Sequence, residues 1–403
     1  MSSTSSTRSA TRSNRSSSNR SNPFFTLTEY QVNNGYDSHL CFDVLNNDSE
    51  PEIPPALING IRRTILQYVP VIIFDRDSIE FKENSSMLHN DMLSHRLVNC
   101  ALNVEVLRNY DLSRLRFVWE ASNPDSYMKT YHYGDCKIYN GEEELSEEQV
   151  KAIVPFPETI IGKLRRAQSI SFQAKVKEVL GADLRKLRGC AESQIVFYSF
   201  KRDEEKIKQA LKDGDTSLTP GLFGEEQLPR PEDENNFLQS KANKLYLTNK
   251  NEFPQVYQFE LESNGFYSPE QAFSNGLLLL FDRLNKIKEA LETSDTEKAK
   301  IVASPNNATQ WDLILVGEDD TLGNLLSTYA QLDFSKKTTY GGYYVPHPLD
   351  KRVIVRIGLL NEKENTLVGA RKYYLQLIDQ IKNIINILNE NWVKMIKEIE
   401  KQK

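Results

Sequence analysis

Cysteine and histidine are the residue types with which this sequence could bind a metal ion or carry out nucleophilic catalysis. The chain has four cysteines, Cys41, Cys100, Cys136 and Cys190, and five histidines. Structural zinc sites normally use closely spaced pairs of thiolate or imidazole ligands, and no C-x-x-C pair occurs here. The spacing therefore predicts reduced, buried thiols and no metal site.

Acidic motifs and glycine-rich loops, the usual means of holding magnesium and nucleotides, also lack the required pattern. The sequence has no D-x-D-x-D motif, no phosphate-binding glycine loop and no plausible pair of a nucleophile and its base. We therefore predict no catalytic residue, no cofactor and no metal ligand on this chain. An enzyme is the least favoured class of function.

Arg62 and Arg63 are the charged residues with the clearest potential for binding a partner. The two adjacent guanidinium groups end a predicted helix, where they could bind a carboxylate or backbone carbonyl groups of another protein. Alternatively, both arginines are solvated and are favoured at a helix C-terminus by the helix macrodipole. We predict a protein interface at these residues.

The composition restricts the class of protein to which the chain can belong. Hydrophobic residues make up 39% and charged residues 26%, and no apolar run is long enough to span a membrane. The formal net charge of -6 argues against an extended nucleic-acid-binding surface, which requires clustered lysine and arginine. These values predict an intracellular protein of two or three domains without membrane contact.

The first 22 residues differ in composition from the rest of the chain. They are rich in serine, and their charged residues are Arg8, Arg12, Arg15 and Arg20. Because such a segment cannot bury enough apolar surface to offset its conformational entropy, we predict that residues 1–22 are disordered. This tail is either a solvated segment without function or a segment that contacts nucleic acid or is phosphorylated.

Apolar residues recur at helical spacing in four segments that must position any interface. The first reads PPALINGIRRTILQYV from Pro54, the second follows a capping-box pattern at Ser268, the third reads TLGNLLSTY from Thr321, and the fourth runs from about Thr366 to Glu398. The candidates for an interface between these helices are Leu57, Asn59, Ile61, Leu277, Leu280, Leu284, Leu322, Gly323, Asn324, Leu325, Leu326, Leu377, Ile381, Ile384 and Leu388.

The first and third helices look like copies of one unit. LINGI at 57–61 and LGNLL at 322–326 share leucine, asparagine and an aliphatic residue at the first, third and fifth places. In both copies strands and then a long, one-sided helix follow. The sequence therefore predicts an α+β fold in which two units pair as an intramolecular pseudo-dimer, with a mainly β insert domain in the first unit.

The predicted division of the chain follows from this repeat. Gly60 and Gly323 lie inside helices, where they either permit close approach of another helix or are simply tolerated. The predicted segments are a tail (1–22), a first unit (23–104 plus 250–292), an insert domain (105–249), a linker (293–309) and a second unit (310–403).

Three motifs of the first unit and its insert resemble a known family. ALINGIRRTILQYVPVIIFDRDSIEF from Ala56, with MLSHRLVNCAL from Met92, resembles the dimerisation domain shared by the third-largest subunit of eukaryotic RNA polymerase II, its archaeal D counterpart and bacterial α. VYQFELESNGFYSPEQAF from Val256 resembles the return of the chain into that domain. IIGKLRRAQSISFQAKVKEVLGAD from Ile160 resembles a strand of the insert domain, with Ala167 in place of a glycine.

The second unit resembles the smaller partner of the same pair. GEDDTLGNLL from Gly317 and GGYYVPHPLDKRVIVRIG from Gly341 are similar to the eleventh subunit of polymerase II and to its archaeal L counterpart. A single chain that contains both partners resembles the fused subunit of large cytoplasmic DNA viruses. The resemblance therefore implies viral transcription and a viral factory in the host cytoplasm, with the virion as a second location.

The resemblance also implies a function and a set of partners. It implies a non-catalytic platform on which the largest and second-largest polymerase subunits and small zinc-binding subunits assemble, so that DNA is contacted only through the complex. It places partner contacts at Arg62, Arg63, His95, Arg96, Lys163 and Arg165, the first two facing the second-largest subunit. The cysteine cluster that binds zinc in some third-subunit relatives is missing here. The alternative function is a free nucleic-acid-binding regulator of transcription on an α-like scaffold.

Overall fold

The protein is described by a computed structural model covering residues 22–33, 37–47, 51–125, 127–181, 195–212, 244–305, 307–347, 349–361 and 363–400. Apart from Asn22, the predicted disordered tail lies outside the described residues, and so does Cys190. No helix among the described residues is long and apolar enough to cross a membrane.

Most helices of the described chain are separated by runs of two to four strands, and all the pairs between the named strands are antiparallel, as expected for an α+β fold. The strands are β1 (Phe25–Asn33), β2 (Asp37–Leu45), β3 (Pro70–Phe74), β4 (Glu80–Asn84), β5 (Leu115–Asn123), β6 (Lys129–His132), β7 (Lys137–Asn140), β8 (Glu143–Glu144), β9 (Ile160–Leu164), β10 (Gln168–Ala174), β11 (Val176–Leu180), β12 (Ile195–Phe200), β13 (Val256–Glu262), β14 (Ala299–Ser304), β15 (Asn307–Val316), β16 (Thr338–Tyr344) and β17 (Arg352–Leu359). The helices are α1 (Pro55–Tyr68), α2 (Asn90–Val98), α3 (Val104–Leu107), α4 (Glu147–Ile153), α5 (Glu204–Lys212), α6 (Pro269–Thr293), α7 (Asp320–Leu332) and α8 (Leu367–Glu400).

The first unit is a four-stranded antiparallel sheet in the order β1-β2-β13-β12, with α1 and α6 on one face. Strand β2 shows why only one face is covered. Its buried residues Leu40, Phe42 and Val44 alternate with His39 and Cys41, which are only partly buried. The alternation of side chains along a strand therefore gives this sheet an inner apolar face and an outer polar face.

The second unit repeats this architecture and confirms the predicted repeat. Its antiparallel sheet has the order β14-β15-β17-β16, the short helix α7 packs against β16 and β17, and the long helix α8 follows β17. Helix α1 contacts both α6 and α7, and α6 packs against α8. The two units are therefore paired within one chain.

The insert domain differs from the predicted 105–249 at both ends. Its five-stranded sheet has the order β4-β10-β5-β7-β8, so β4, at 80–84, already belongs to it. Strand β12, at 195–200, instead pairs with β13 in the sheet of the first unit. Both errors have the same cause: strand propensity identifies a strand, but its hydrogen-bonded neighbour is distant in sequence and is fixed only in the folded chain.

The predicted linker at 293–309 is also wrong, because it contains β14 and the first residues of β15. Helix α6 ends at Thr293, Ser294 follows with a φ of 59°, and β14 begins at Ala299. Strand β14 lies at the edge of its sheet and leaves most of its side chains at least partly accessible. Its polar composition therefore imitates a linker.

One predicted departure from the family pattern has a clear structural correlate. Ala167 lies in the tight turn between β9 and β10 with a φ of 61°, in the left-handed region that favours glycine. The resemblance places glycine at this position in relatives. This chain therefore holds a β-carbon where the backbone conformation disfavours one.

Asn22, which the sequence assigns to the tail, makes defined hydrogen bonds in the structure. The Asn22 Nδ2 donates to the carbonyl oxygen of Asn391 (2.8 Å), and its Oδ1 accepts from the backbone N–H groups of Phe24 (3.1 Å) and Phe25 (3.2 Å). Asn22 thus anchors the start of β1 to the C-terminal helix α8.

We expect deletion of residues 1–21 and deletion of residues 1–22 to differ measurably. Loss of the shorter segment should leave the melting temperature unchanged, because its composition offers no apolar anchor. Loss of Asn22 as well should lower the free energy of unfolding by about 1–2 kcal/mol, the usual contribution of one or two part-buried hydrogen bonds. Thermal unfolding followed by circular dichroism compares the two truncations, and identical melting curves would contradict the anchoring role of Asn22.

Candidate functional site

The interface between the two units is formed by α1, α6, α7 and α8, the four helices that the sequence singles out. All apolar interface candidates are buried in these helices: Leu57, Ile61, Leu277, Leu280, Leu284, Leu322, Leu325, Leu326, Leu377, Ile381, Ile384 and Leu388. Asn59 and Asn324 are partly buried and occupy matching positions in α1 and α7. The helical spacing of the sequence thus identified the residues that form the apolar faces of these helices.

The two predicted glycines do not provide close contact between helices of different units. A β-carbon on Gly60 would lie 3.7 Å from Leu280 Cδ2 and 3.8 Å from Thr321 Cγ2, which is ordinary van der Waals contact. A β-carbon on Gly323 would lie 2.5 Å from Val353 Cγ2, so this glycine packs against the sheet of its own unit. Gly60 is therefore simply tolerated within its helix, whereas Gly323 allows α7 to pack closely against its own sheet.

The glycine that permits a close helix crossing is Gly276 of α6, which packs against α1 within the first unit and which sequence reasoning missed. A β-carbon there would lie 2.4 Å from Ile65 Cγ1 of α1. A β-carbon at that distance would force Ile65 to shift, so glycine at position 276 permits the observed crossing of α1 and α6 within the first unit. Glycine within the otherwise apolar FSNGLLLL stretch is the sequence signal that could have indicated a helix crossing.

A network of charged side chains crosses the interface at one end of α7. Arg283 of α6 donates through Nη2 to Glu318 and to Asp319 Oδ1 (3.2 Å), both just before α7. Arg63 of α1 donates through Nη2 to Asp319 Oδ2 (3.2 Å). The Arg283 guanidinium also lies 3.7 Å from the centre of the Tyr68 ring. Two cations of the first unit therefore share the carboxylates of the second.

This network is mostly removed from water, which makes its geometry important for stability. The Arg283 side chain is 8% exposed, and the side chains of Glu318 and Asp319 are 19% and 28% exposed. Asp319 also accepts the backbone N–H of Thr321 (3.1 Å) and so caps α7. A residue that begins the second unit's short helix thus also binds both arginines of the first unit.

The two carboxyl groups respond differently to this environment. Burial is the largest influence on Glu318 and raises its pKa, although Arg283 opposes the shift. Burial also acts to raise the pKa of Asp319, but Arg283, Thr321 and Arg63 together outweigh it and hold that pKa below its usual range. The stabilisation from Asp319 is present above the pKa of this group in the unfolded chain and is lost as the pH falls through the lowered pKa. Protonation of Glu318 acts in the opposite direction.

Trp392 of α8 inserts into the core of the first unit. Its side chain is fully buried, and its ring centre lies 4.4 Å from that of Phe273, 4.7 Å from that of Phe42 and 5.4 Å from that of Phe25. These three rings belong to α6, β2 and β1. An aromatic residue of the second unit therefore fills part of the hydrophobic core of the first unit.

Polar contacts at this tryptophan and at a second point nearer the start of α8 hold the two long helices in register. The Trp392 Nε1 donates to Ser274 Oγ (3.0 Å) and Glu270 O (3.3 Å). Further along, Lys288 Nζ of α6 lies 2.7 Å from Asp379 Oδ1 of α8. These contacts orient α8 along α6 and fix which turns of the two helices face each other.

The structure changes the interpretation of Arg62 and Arg63. Both lie in the middle of α1, because the helix continues to Tyr68, so the macrodipole of a helix end does not explain them. Arg63 is bound to Asp319 within the chain, whereas Arg62 donates through Nε to Asn59 Oδ1 (3.1 Å) and is partly accessible. Arg63 therefore belongs to the intramolecular interface, and Arg62 keeps its place as a candidate for partner binding.

The other partner candidates lie on neighbouring elements of a different surface. His95 and Arg96 are exposed on α2, and Lys163 and Arg165 are exposed on β9 and just after it. The Arg96 Nη1 donates to the carbonyl oxygen of Ile161 in β9 (3.0 Å), which joins the two elements. Folding thus brings these four residues, separated in the sequence, onto adjacent elements.

One group of potential metal ligands lies outside this interface. Glu29, His39 and Cys41 place one ligand atom each within 4.8 Å of one another on the outer face of the first unit's sheet. Cys100 and Cys136 are buried as predicted, but Cys41 is not. The H-L-C spacing at 39–41 is the signal that sequence reasoning missed, because alternate residues of a strand share one face.

Comparisons with known proteins agree with the two-unit architecture. The family model described as the RNA polymerase Rpb3/Rpb11 dimerisation domain matches residues 310–391. The chain is 34% identical over 95 residues to DNA-directed RNA polymerase II subunit RPB11 of Schizosaccharomyces pombe, covering 23% of this chain and 72% of that protein. It is similar to DNA-directed RNA polymerase subunit Rpo3 of Pyrococcus horikoshii, at 25% identity over 251 residues, covering 59% of this chain and 90% of the relative.

A second archaeal relative gives the same result. The Rpo3 protein of Thermococcus kodakarensis is 26% identical over 242 residues, which is 57% of this chain and 86% of the relative. The family model falls within the second unit, and the relatives include both an Rpo3 and an RPB11. The chain therefore belongs to the family of α-type subunits of DNA-directed RNA polymerase and has a D-like part and an L-like, eleventh-subunit-like part.

Proposed function

We propose that this chain is a non-catalytic assembly subunit of DNA-dependent RNA polymerase that contains both halves of the α-type platform in one polypeptide. The observation that carries the proposal is the pairing of the two units through α1, α6, α7 and α8. In this proposal the paired units recruit the largest and second-largest subunits, together with small zinc-binding subunits. The viral source, the cellular location and the absence of catalytic residues stay predictions.

A chain that already contains both halves should not need a second copy. We expect the isolated protein to be a monomer in dilute solution, because the apolar helical faces that would drive dimerisation are covered within the chain. Size-exclusion chromatography with light scattering measures the mass directly. A tight homodimer that exchanges α8 between copies would contradict the proposal of an intramolecular platform.

The basic residues on α2 and β9 provide a test of partner binding that leaves the apolar core unchanged. We expect Arg96→Glu combined with Lys163→Glu and Arg165→Glu to weaken binding of a large polymerase subunit by roughly 10–100-fold, because attractive charges are replaced by repulsive ones at the interface. Replacing the exposed Lys163 and Arg165 should change the free energy of unfolding by no more than about 0.5 kcal/mol. Arg96→Glu also removes the hydrogen bond to the carbonyl oxygen of Ile161 and should by itself cost about 1–3 kcal/mol. Co-expression with the two largest subunits, followed by affinity purification, measures assembly.

The matched control reverses three exposed cations elsewhere, with Arg76→Glu, Lys82→Glu and Lys300→Glu, and so changes the net charge equally. This control should assemble normally. If both triple variants lost the large subunits to the same extent, the effect would be one of net charge, and α2 and β9 would not form a partner surface. If the unaltered chain purifies without any large subunit and binds DNA by itself, the free transcription regulator replaces the assembly subunit as the function.

A further inference from the structure

Three potential metal ligands, Glu29, His39 and Cys41, lie together on the outer face of the first unit's sheet, with the Glu260 carboxylate beside His39. Cys41 of β2 lies directly opposite Glu29 of β1 on one side and Glu260 of β13 on the other. His39 precedes Cys41 by two residues and so shares its face of the sheet. Strands β1 and β2 thus place a thiol, an imidazole and one carboxyl group close together, and β13 adds a second carboxyl group next to the imidazole.

The separation of the sulfur and nitrogen atoms fits a tetrahedral ion. Zinc bonds of ~2.3 Å to sulfur and ~2.05 Å to nitrogen, at the tetrahedral angle, place these two atoms roughly 3.6 Å apart. The observed distance from Cys41 Sγ to His39 Nε2 is 3.6 Å. This pair therefore needs little rearrangement to hold an ion.

The carboxylates are placed to complete the ligand set. Glu260 Oε1 lies 2.9 Å from His39 Nε2, a hydrogen-bonding distance that must open by roughly 0.5 Å to admit an ion between them. The Glu260 side chain is 55% exposed, so it has the freedom to make this movement. Glu29 is likewise exposed and lies within the 4.8 Å group formed with His39 and Cys41.

We propose that Glu29, His39, Cys41 and Glu260 form a zinc site that joins β1, β2 and β13. A thiolate and an imidazole favour zinc over magnesium or calcium, which prefer oxygen ligands alone. The ion would tie β1, an edge strand of the sheet, to the two strands beside it. Among the residues that the structure describes, no other group of three or more cysteine, histidine or carboxylate side chains is assembled this closely.

The site makes a direct prediction for metal binding by the full-length chain. Titration with zinc chloride in competition with a chromophoric chelator should reveal one tightly bound ion per chain. Cys41→Ser and His39→Ala should each lower the affinity for that ion by roughly 100-fold or more, because loss of even a residue that only supports a metal ligand lowers metal affinity on the order of 10–100-fold. Saturating zinc should raise the melting temperature of the unaltered chain but not that of Cys41→Ser.

Cobalt substitution identifies the sulfur ligand independently of affinity. The cobalt-loaded chain should show a thiolate-to-metal charge-transfer band that disappears in Cys41→Ser. Two matched controls should keep the band and the affinity. Cys136→Ala removes a buried thiol elsewhere, and His89→Ala removes an exposed histidine that lies 3.4 Å from the Asp91 carboxylate but has no thiol among its described contacts.

Several outcomes would overturn the proposal. They are the absence of a tight zinc ion in the unaltered chain, undiminished binding by Cys41→Ser, and loss of the cobalt band in Cys136→Ala instead. If Cys41→Ser fails to fold, the exposed pair Glu29→Gln with Glu260→Gln replaces it as the test, and unchanged zinc affinity in that variant overturns the site. The inference is independent of polymerase assembly, because every readout uses the isolated chain.

Discussion

Replacing Arg283 with alanine should lower the free energy of unfolding by roughly 3–5 kcal/mol, because it leaves buried carboxylates without their main cation. Arg283 is 8% exposed, binds Glu318 and Asp319 across the interface and lies over the Tyr68 ring. We therefore expect the pairing of the units to weaken as well as the fold. Urea unfolding measures the first effect, and the concentration at which the variant begins to dimerise measures the second.

Two further variants distinguish the effect of losing the buried network from the effect of losing any charged side chain. Lys288→Ala removes an ion pair at the same interface whose partner, Asp379, is 45% exposed, and should cost about 1 kcal/mol or less. Adding Glu318→Ala to Arg283→Ala should cause little further loss, because it removes one of the stranded carboxylates. A cost for Arg283→Ala no larger than that for Lys288→Ala would show that the network does not hold the units together.

Replacing Trp392 with alanine should also destabilise the chain by about 3–5 kcal/mol, through the cavity that it leaves in the first unit. The indole is fully buried against Phe25, Phe42 and Phe273 and donates to Ser274. Because α8 supplies this residue to the other unit, we expect α8 to separate from α6 before the sheets unfold. Hydrogen exchange should therefore show reduced protection in α8 and α6 first.

The neighbouring residue provides the control for this substitution. Val393 lies on the same turn of α8 and is 44% exposed, so Val393→Ala should change stability by no more than about 0.5 kcal/mol. Trp392→Phe should have an intermediate effect, because it keeps a ring but loses the donor to Ser274. Equal effects of Trp392→Ala and Val393→Ala would mean that α8 does not complete the core of the first unit.

The repeat was predictable because helical periodicity and strand composition are local properties of the chain. The spacing of Leu57 and Ile61, and of Leu322 and Leu326, identifies two short helices with one apolar face. The long stripe from Leu377 to Leu388 likewise requires a partner helix. From these features alone, an α+β fold with two paired units follows.

The position of the arginines could not be predicted from the same features. The sequence pattern predicts that Arg62 and Arg63 lie at a helix end and act together. In the structure α1 continues past them, and the helical turn points them in different directions, so that Arg63 meets Asp319 while Arg62 meets Asn59. A double substitution of both arginines would therefore mix loss of intramolecular pairing with loss of a partner contact.

By itself, the sequence determined the helices, the repeat of the two units and the family, because periodicity and motifs depend on residues that are close along the chain. Only the tertiary structure showed that β4 belongs to the sheet of the insert domain and that β12 belongs to the sheet of the first unit. It also showed that Trp392 packs against Phe25 in the core of the first unit. It also decided that Glu29, His39 and Cys41 lie close together and that Glu260 contacts His39. These results depend on strand pairing and helix crossing between distant segments, which no local pattern of side chains encodes.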